Sequence, residues 1–301
     1  LIGRERPALV HLVALKPILL SALAVCLRRT PRYILALTGM GYLFSSRDGL
    51  AQGIQRLVRP LLRFLLSQTH AHAIVQNDDD LALLGALGVA PSKASLIRGA
   101  GVDLARYVPQ PPVADDAPVI VLPARMLRDK GVAEFLAAAP LVRAAHPAAR
   151  LVLAGGIDAD NPAAYSRAEL SADAGIAGVE WWGHCEDMRE VYAAASIVCL
   201  PSYREGLPKA LLEAAACARP LIAADVPGCR DICRDGISGV LVPAREAPAL
   251  ATAINGLLAD PVRRARLADG ARRLVEREFS SARVHADTLE LYARLLAPAV
   301  A

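Results

Sequence analysis

Residues 119–154 read VIVLPARMLRDKGVAEFLAAAPLVRAAHPAARLVLA, and the fold turns on how this stretch is parsed. Val119–Leu122 is a short, wholly apolar run and reads as a strand buried on both faces. Val132–Ala145 follows as a helix, and Leu151–Leu153 as a second buried strand ending in Ala154-Gly155-Gly156. The alternation continues with helix Asn161–Ala174, strand Val179–Trp182, helix Asp187–Ala195, strand Ile197–Leu200 and helix Lys209–Ala218. Strands Pro220–Ala223 and Gly239–Val242 and C-terminal helices complete the series. Strict alternation of short apolar strands with helices predicts an α/β fold whose parallel sheet is covered on both faces. Ligands of such sheets bind at the carboxyl ends of the strands.

Upstream, Pro109–Asp116 is a proline-rich polar stretch and reads as a linker. Before it, Ala8–Leu12, Arg32–Leu37 and Ala73–Gln76 read as strands, with a helix over Ile18–Arg28 stopped by Thr30-Pro31. Around Gly53–Gln68, residues Ile54, Leu57, Val58, Leu61, Leu62, Leu65 and Leu66 mark one apolar helical face, with Arg56, Arg59 and Arg63 off it. That pattern fits an anionic lipid surface and fits packing on a first sheet equally well. Asn77 reads as the cap of the next helix. The expected organisation is a partial first domain over 1–112, a second over 113–280, and a C-terminal helix over 281–301 returning to the first.

The whole-chain arithmetic agrees with two domains: 301 residues, 54% hydrophobic, 21% charged and 4% aromatic, against about 150 residues for an average domain. Disorder and low complexity are excluded. The greasiest run, Leu12–Leu27, is interrupted by Lys16, Pro17 and Ser21, and falls short of the roughly 18 residues of a membrane span. A net charge of +4 is too mild for a nucleic-acid-binding face. Six cysteines without a CxxC pair point to a reduced, cytoplasmic chain.

Two loops at strand ends hold the chemistry. Pro123–Gly131 offers Arg125 and Lys130 above a helix start, in a chain with lysine only at 16, 93, 130 and 209. Such a pair suits a diphosphate and is also an ordinary charged turn. Pro201–Glu213 places Glu205 in a loop, Pro208 at an expected first helical position, and Glu213 inside the helix. Glu213 then lies about 7.5 Å down the axis from Pro208, at ~1.5 Å per residue. Two carboxylates so separated cannot share a proton or a metal. They can hold two parts of one elongated ligand with an anionic middle, the shape of a nucleotide-diphosphate sugar. The plainer reading makes Glu205 a turn residue and Glu213 an exposed helix charge.

Glu205-x7-Glu213, with Gly206 and Pro208 between, resembles the signature of the retaining glycosyltransferases of family 4 (glycosyl transferases group 1), which have the GT-B fold of two Rossmann-like domains. The resemblance extends to Lys130-Gly131, Trp182-Gly183, Pro201-Ser202, Asp225–Gly228 and Asp235–Val242. His11–Pro17 and Thr38–Phe44 are similar to bacterial capsule, O-antigen and lipid-linked-oligosaccharide members. The resemblance implies catalytic roles for Glu205, Arg125 and Lys130, with the two cations on the donor diphosphate. It implies donor binding by Gly155, Gly183, Gly206, Leu207, Pro208 and Glu213, with Glu213 on the ribose hydroxyls and Gly155 and Gly183 near the base. Gly39 and Gly41 would form an acceptor-side loop.

Taken as a whole, the resemblance implies a hexosyl- or N-acetylhexosaminyltransferase of surface polysaccharide synthesis. It would use a nucleotide sugar, by default a UDP-sugar, and a glycan or polyprenyl-diphosphate-linked acceptor. It would need no metal or other cofactor and bind no nucleic acid. Its expected place is the cytoplasm, or peripherally the inner face of the cytoplasmic membrane. The family's first strand and glycine-rich loop would precede Leu1, making the first domain incomplete. The alternative is a truncated, non-catalytic nucleotide-sugar-binding module. A phosphorolytic GT-B enzyme is disfavoured because no lysine is convincingly placed for a pyridoxal cofactor. The family's first-domain histidine has no counterpart in Thr38–Gly41, and His11, His70 and His72 read as structural. Asp78-Asp79-Asp80 suits a helix start better than a metal. Ala154–Asp158 is not a dinucleotide motif, and Cys229 with Cys233 lacks partners for a metal.

Overall fold

The computed structural model describes residues 2–27, 32–38, 49–109, 111 and 116–297. Gly39, Gly41, most of the Pro109–Asp116 linker and the Thr30-Pro31 stop lie outside them. The described strands pair in parallel within two sheets. The chain divides into two compact units: 1–101 with 205–207 and 281–301, and 102–204 with 208–280.

The first unit runs α1 (Ile2–Glu5), β1 (Leu9–Val13), α2 (Leu15–Leu27), β2 (Arg32–Ala36), α3 (Gly49–Ser67), β3 (Ala71–Val75), α4 (Asp78–Ala86) and β4 (Ala94–Leu96). Its sheet has the order β1-β2-β3-β4. Side chains alternate across the strands, so Leu12, Tyr33, Leu35, Ala73 and Val75 pack against Ile18, Val58, Leu62, Leu65 and Leu84 of the helices on one face. On the other face Ile34, Ala36 and Ile74 meet Val284 and Leu291. Those two belong to the last helix of the chain, Ser281–Leu296. The apolar face of α3 is therefore committed to the sheet, while Arg56, Arg59 and Arg63 are exposed. Three-residue β4 escapes sequence reading because Ala94-Ser95-Leu96 is too short to show a period.

The second unit contains β5 (Val119–Pro123), α5 (Val132–Ala145), β6 (Arg150–Ala154), α6 (Arg167–Ala177), β7 (Glu180–Gly183), α7 (Met188–Ala194), β8 (Ile197–Leu200) and α8 (Lys209–Ala216). It continues with β9 (Leu221–Ala224), α9 (Cys229–Ile232), β10 (Gly239–Val242), α10 (Ala247–Leu258) and α11 (Pro261–Glu278); the first unit's last helix is α12. The sheet order is β10-β9-β8-β5-β6-β7. From β5 the chain moves outward through β6 and β7, then returns to the other side of β5 at β8. Loops leaving adjacent strands in opposite directions open a crevice at that reversal, between the ends of β5 and β8.

Several helix boundaries differ from the sequence reading, most plainly those of α6 and α8. The helix expected over Asn161–Ala174 is confined to Arg167–Ala177. Ser166 caps it, its Oγ accepting from the amide of Glu169 at 3.2 Å, and Gly178 closes it with φ 62°. The Ser-x-x-Glu spacing was the available signal. Asn161 instead forms a turn, its Oδ1 accepting from the Ala163 amide. The helix expected over Lys209–Ala218 ends at Ala216 because Ala218 turns left-handed, φ 54°, and the Arg219 amide bonds back to Ala214 O at 3.0 Å. Pro208 is the cap, with ψ 115°, and Lys209 the first helical residue. The carbonyl of a cap already accepts a helical hydrogen bond while its own backbone stays extended, and Pro208 O accepts from Leu211 and Leu212.

Arg219 is 3% exposed and closes the end of α7, donating from Nε to Tyr192 O (2.7 Å) and from Nη2 to Ala193 O (3.1 Å). Arg219→Met strands both carbonyls, and urea unfolding will show a loss of about 2 kcal/mol or more. An unchanged midpoint would remove Arg219 from the supports of this unit.

Candidate active site

At the end of β5 the backbone passes directly over β6. The Ala124 amide donates to Ala154 O at 3.1 Å and the Met126 amide to Gly156 O at 3.0 Å. A Cβ on Gly155 would lie 1.8 Å from Ala124 O, so only glycine permits this approach. The Gly155 amide donates to Gly183 O at 2.8 Å, and Trp181 Nε1 donates to Gly155 O at 2.9 Å. Gly155 and Gly183 are thus brought side by side at the ends of β6 and β7.

Arg125 projects from this loop with 60% of its side chain exposed and pairs with the carboxylate of Asp158. Asp158 is not among the site residues expected from sequence; an acid four residues past a strand end opposite a lone arginine was the available signal. The Arg128–Lys130 turn then leads into α5 through Gly131, φ 73°. A Cβ on Gly131 would sit 2.3 Å from Pro201 O, so this glycine is required both by its left-handed backbone and by the close approach of the β8 loop. The half-buried Lys130 is held immediately before it.

The β8 loop is fastened to the β5 loop by three further contacts. The Tyr203 amide donates to Asp129 O (2.9 Å), Tyr203 Oη donates to Glu134 Oε1 (2.7 Å), and Arg204 Nε lies 3.6 Å from Asp129 Oδ2. Within this pair of loops Asp129 Oδ1 and Ser202 Oγ are buried without a hydrogen-bond partner. Buried polar groups are ordinarily paired, so two orphans beside the strand-order reversal mark it as a place for a polar ligand.

Glu205, Gly206 and Leu207 group with the first unit. Gly206 O accepts from Asn77 Nδ2 at 3.1 Å, and Leu207 packs against Gly99. Asn77 has a second task, its Oδ1 capping α4 through the Asp80 amide at 2.7 Å. Asp78, Asp79 and Asp80 form the first turn of that helix, with Asp78 paired to Arg98 at 3.1 Å.

Glu213 is half-buried rather than an exposed helix charge. It accepts hydrogen bonds from Tyr192 Oη at 3.0 Å and from Tyr107. The two tyrosine rings stand edge to face, 6.2 Å apart. Burial raises the Glu213 pKa, opposed by the two hydroxyls and by the charges of Lys209 and Arg106. Burial and the neighbouring carboxylate push Tyr107 up to about 12, so its hydroxyl stays a donor. Tyr107 and Tyr192 were not among the sequence-derived site residues. No local pattern points to them, because they reach Glu213 from distant parts of the chain.

His72 is buried, Nε2 2.9 Å from Ser95 Oγ, and burial with nearby Arg294 and Lys93 depresses it to about 4. His11 Nδ1 meets Tyr292 Oη at 2.5 Å, yet its Nε2 is buried without a partner, so it is only half satisfied. Cys233 bonds weakly to Leu221 O and Val240 O as a core residue. Among the described residues no group of three or more His, Cys, Asp or Glu is placed to hold a metal ion. A cavity of 410 Å³ between α5 and α6, lined by Leu136, Pro140, Tyr165 and Ile176 among others, contains none of the expected site residues.

The profile of the glycosyl transferases group 1 family matches residues 117–260. The N,N'-diacetylbacillosaminyl-diphospho-undecaprenol alpha-1,3-N-acetylgalactosaminyltransferase of Campylobacter jejuni is 27% identical over 245 residues, 77% of this chain and 63% of that protein. The chain spans about three fifths of the length of the curated relatives it matches. Sucrose-phosphate synthase from Thermosynechococcus elongatus superposes with a TM-score of 0.82 at 23% identity, covering 98% of this chain and 75% of that one. Anabaena HepE, solved in complex with UDP and glucose, superposes at 0.79 with 18% identity, covering 97% and 79%. Two sheets of parallel strands and these superpositions define the fold as GT-B.

Gly155→Ala forces the β5 loop off β6. Its expected cost is about 2 kcal/mol, seen as a melting temperature lowered by roughly 4–8 °C. A melt identical to the parent protein would show that the approach of Ala124 to Gly155 is not needed.

Proposed function

We propose, from the match of residues 117–260 to the glycosyl transferases group 1 family, that this chain moves a sugar from a nucleotide-diphosphate donor, a UDP-sugar, to a glycan or polyprenyl-diphosphate-linked acceptor in surface polysaccharide synthesis. The observation that carries the reading is the fastening of the two loops at the strand-order reversal, with Arg125 and Lys130 on one side and the Glu213 cluster beyond the other. HepE was solved with UDP and glucose, and the Campylobacter relative is named for an undecaprenol-diphosphate-linked acceptor.

In this reading Arg125 and Lys130 bind the donor diphosphate and stabilise the negative charge that grows on it as the bond to the sugar breaks. Asp158 holds the Arg125 fork in one orientation, and Gly131 fixes the direction of Lys130. Glu213 takes the ribose diol. Two lone-pair positions of its carboxylate are occupied by Tyr107 and Tyr192, leaving others for the two hydroxyls. The Gly155 and Gly183 neighbourhoods face the base. Glu205 positions the donor sugar with the amides near Gly206 and Leu207. Transfer proceeds with retention along a front-face, oxocarbenium-like route, so Glu205 acts by charge and position rather than as the nucleophile of a retaining hydrolase.

Glu205→Gln and Lys130→Ala are each expected to lower transfer from a labelled UDP-sugar about 10²–10³-fold, the usual loss for one group aimed at developing charge. Full activity in both variants overturns the assignment.

The raised pKa of Glu213 adds a pH dependence. The carboxylate must be ionised to accept both ribose hydroxyls, so affinity for a UDP-sugar is present at neutral pH and lost as pH falls through a value above the ordinary ~4.3. Tyr192→Phe removes a hydrogen bond that favours the charged form, so calorimetry will place its midpoint higher still. Glu213→Gln will bind weakly and without that transition. A parent profile as flat as that of Glu213→Gln removes Glu213 from the ribose.

A further inference from the structure

Tyr107 stands on a segment, 102–109, that contains no helix or strand, yet its hydroxyl donates to Glu213 of α8. Tyr192, the other hydroxyl on that carboxylate, is carried by α7 and fully buried. A hydroxyl on irregular backbone is only as well placed as the tethers of that backbone. Several of these are local or lie at the start of the segment. The Val102 amide donates to Phe279 O at 2.8 Å and the Tyr107 amide to Asp103 O at 2.9 Å. Asp103 Oδ1 accepts from the amides of Ala105 and Arg106. These bonds shape the turn, but none of them ties Tyr107 to the helix that carries Glu213.

Arg272 of α11 supplies that tie. Its Nη1 donates to Tyr107 O at 2.9 Å and to Ala216 O at 2.6 Å. Ala216 is the last residue of α8 and lies on the same helix as Glu213. One nitrogen therefore spaces the backbone of Tyr107 against the helix of its acceptor. The guanidinium itself is held in place. Its Nε donates to Glu276 Oε1 at 2.6 Å, one turn along α11, and only 16% of the Arg272 side chain is exposed. Capping of α8 does not account for this arrangement. The last carbonyls of a helix need partners from outside the helix, and the chain reversal supplies them for Ala214 and Ala215 through the amides of Arg219 and Ala218. A cap on Ala216 O needs one donor, and has no use for a second carbonyl from a segment 165 residues away.

We propose that Arg272 is a positioning residue for Glu213: by joining Tyr107 O to Ala216 O it keeps the Tyr107 hydroxyl on one lone pair of the carboxylate and leaves others for a ribose diol. The role in donor binding rests on the reading of Glu213 as the ribose acceptor; the tether itself does not. The groups facing Glu213 are Tyr192 of α7, Tyr107 and Arg106 of the 102–109 segment, Lys209 of α8 and, just past its end, Cys217. Burial favours the neutral carboxyl, while the two hydroxyls and the two cations favour the carboxylate. Loss of the Tyr107 hydrogen bond therefore raises the pH at which Glu213 takes up a proton. A carboxyl that is neutral, or turned toward a displaced hydroxyl, accepts a diol poorly. Arg272 acts only through Tyr107 and touches no reacting group. Its loss therefore weakens ground-state and transition-state binding alike, which raises KM and leaves kcat.

Carbon-13 NMR of the carboxyl groups reads the titration of Glu213 in the ligand-free protein, its signal identified by its absence in Glu213→Gln. The Glu213 midpoint will be higher in Tyr107→Phe and in Arg272→Met than in the parent protein, and the double variant will match Tyr107→Phe. In Arg272→Met the KM for a UDP-sugar will rise about tenfold, the loss of one charge-assisted hydrogen bond, with kcat changed less than about twofold. Glu276→Ala keeps the arginine and its charge and removes only the partner of Nε, so it strands no carbonyl. It will move both readouts in the same direction and by less. An unmoved Glu213 midpoint in Arg272→Met, or in Glu276→Ala should Arg272→Met not fold, overturns the proposal. Additive shifts in the double variant also overturn it, since the charge of Arg272 would then act on Glu213 directly. A fall in kcat at constant KM reduces Arg272 to a support of the fold and overturns it too. If the midpoints move as stated while affinity for the UDP-sugar is the same in every variant, the ribose reading fails and the tether stands.

Discussion

The close approach of Gly131 to the carbonyl of Pro201 is the constraint on which the organisation of the second unit's site depends. Parallel strands require crossovers, and the one that returns from β7 to β8 places the ends of β5 and β8 next to each other with their loops leaving in opposite senses. Those loops would diverge if nothing joined them. Gly131 lets the backbones touch, the Tyr203 amide and hydroxyl then reach Asp129 and Glu134, and Lys130 is fixed one residue away. A side chain at 131 would meet backbone rather than a flexible tip, so relief would have to come from moving a strand end.

The same economy of backbone operates at Gly155, where β5, β6 and β7 converge. There the amide and carbonyl of one residue tie Gly183 and Trp181 together, while the absence of a Cβ admits Ala124. Charged groups are then arranged on a rigid frame. Arg125 is oriented by Asp158, and Glu213 by Tyr107 and Tyr192. Each of these two charges therefore has a partner that limits its rotamers before any ligand arrives, which reduces what binding must order.

Much of the fold was legible because a buried parallel strand leaves a plain mark. Val119–Leu122, Ile197–Leu200 and Gly239–Val242 are continuous apolar runs, and the structure begins a strand at the first residue of each. Helix ends were less legible. The α6 boundary depended on recognising Ser166 and Glu169 as a capping pair, and the α8 boundary on Ala218 adopting a left-handed conformation that alanine does not advertise. Strand β4 was invisible for want of length. Arg125, Lys130, Glu205 and Glu213 were named as candidates because local motifs carry them. Asp158, Tyr107, Tyr192 and the link from Asn77 to Gly206 were not, since each acts across a separation of more than twenty residues.

Composition and periodicity by themselves determined the α/β fold class and where the second unit's strands lie. They could do so because strand burial and helix phase are set by neighbours a few residues apart. Whether the apolar face of α3 met lipid or protein was undecided in the sequence, since an apolar stripe suits both. Tertiary structure decided it by putting that face on the first sheet and leaving the arginines outside. It also decided that Glu213 is half-buried beside two tyrosines rather than exposed on its helix. Both outcomes depend on which distant segments the sheets bring together, and no local pattern records that.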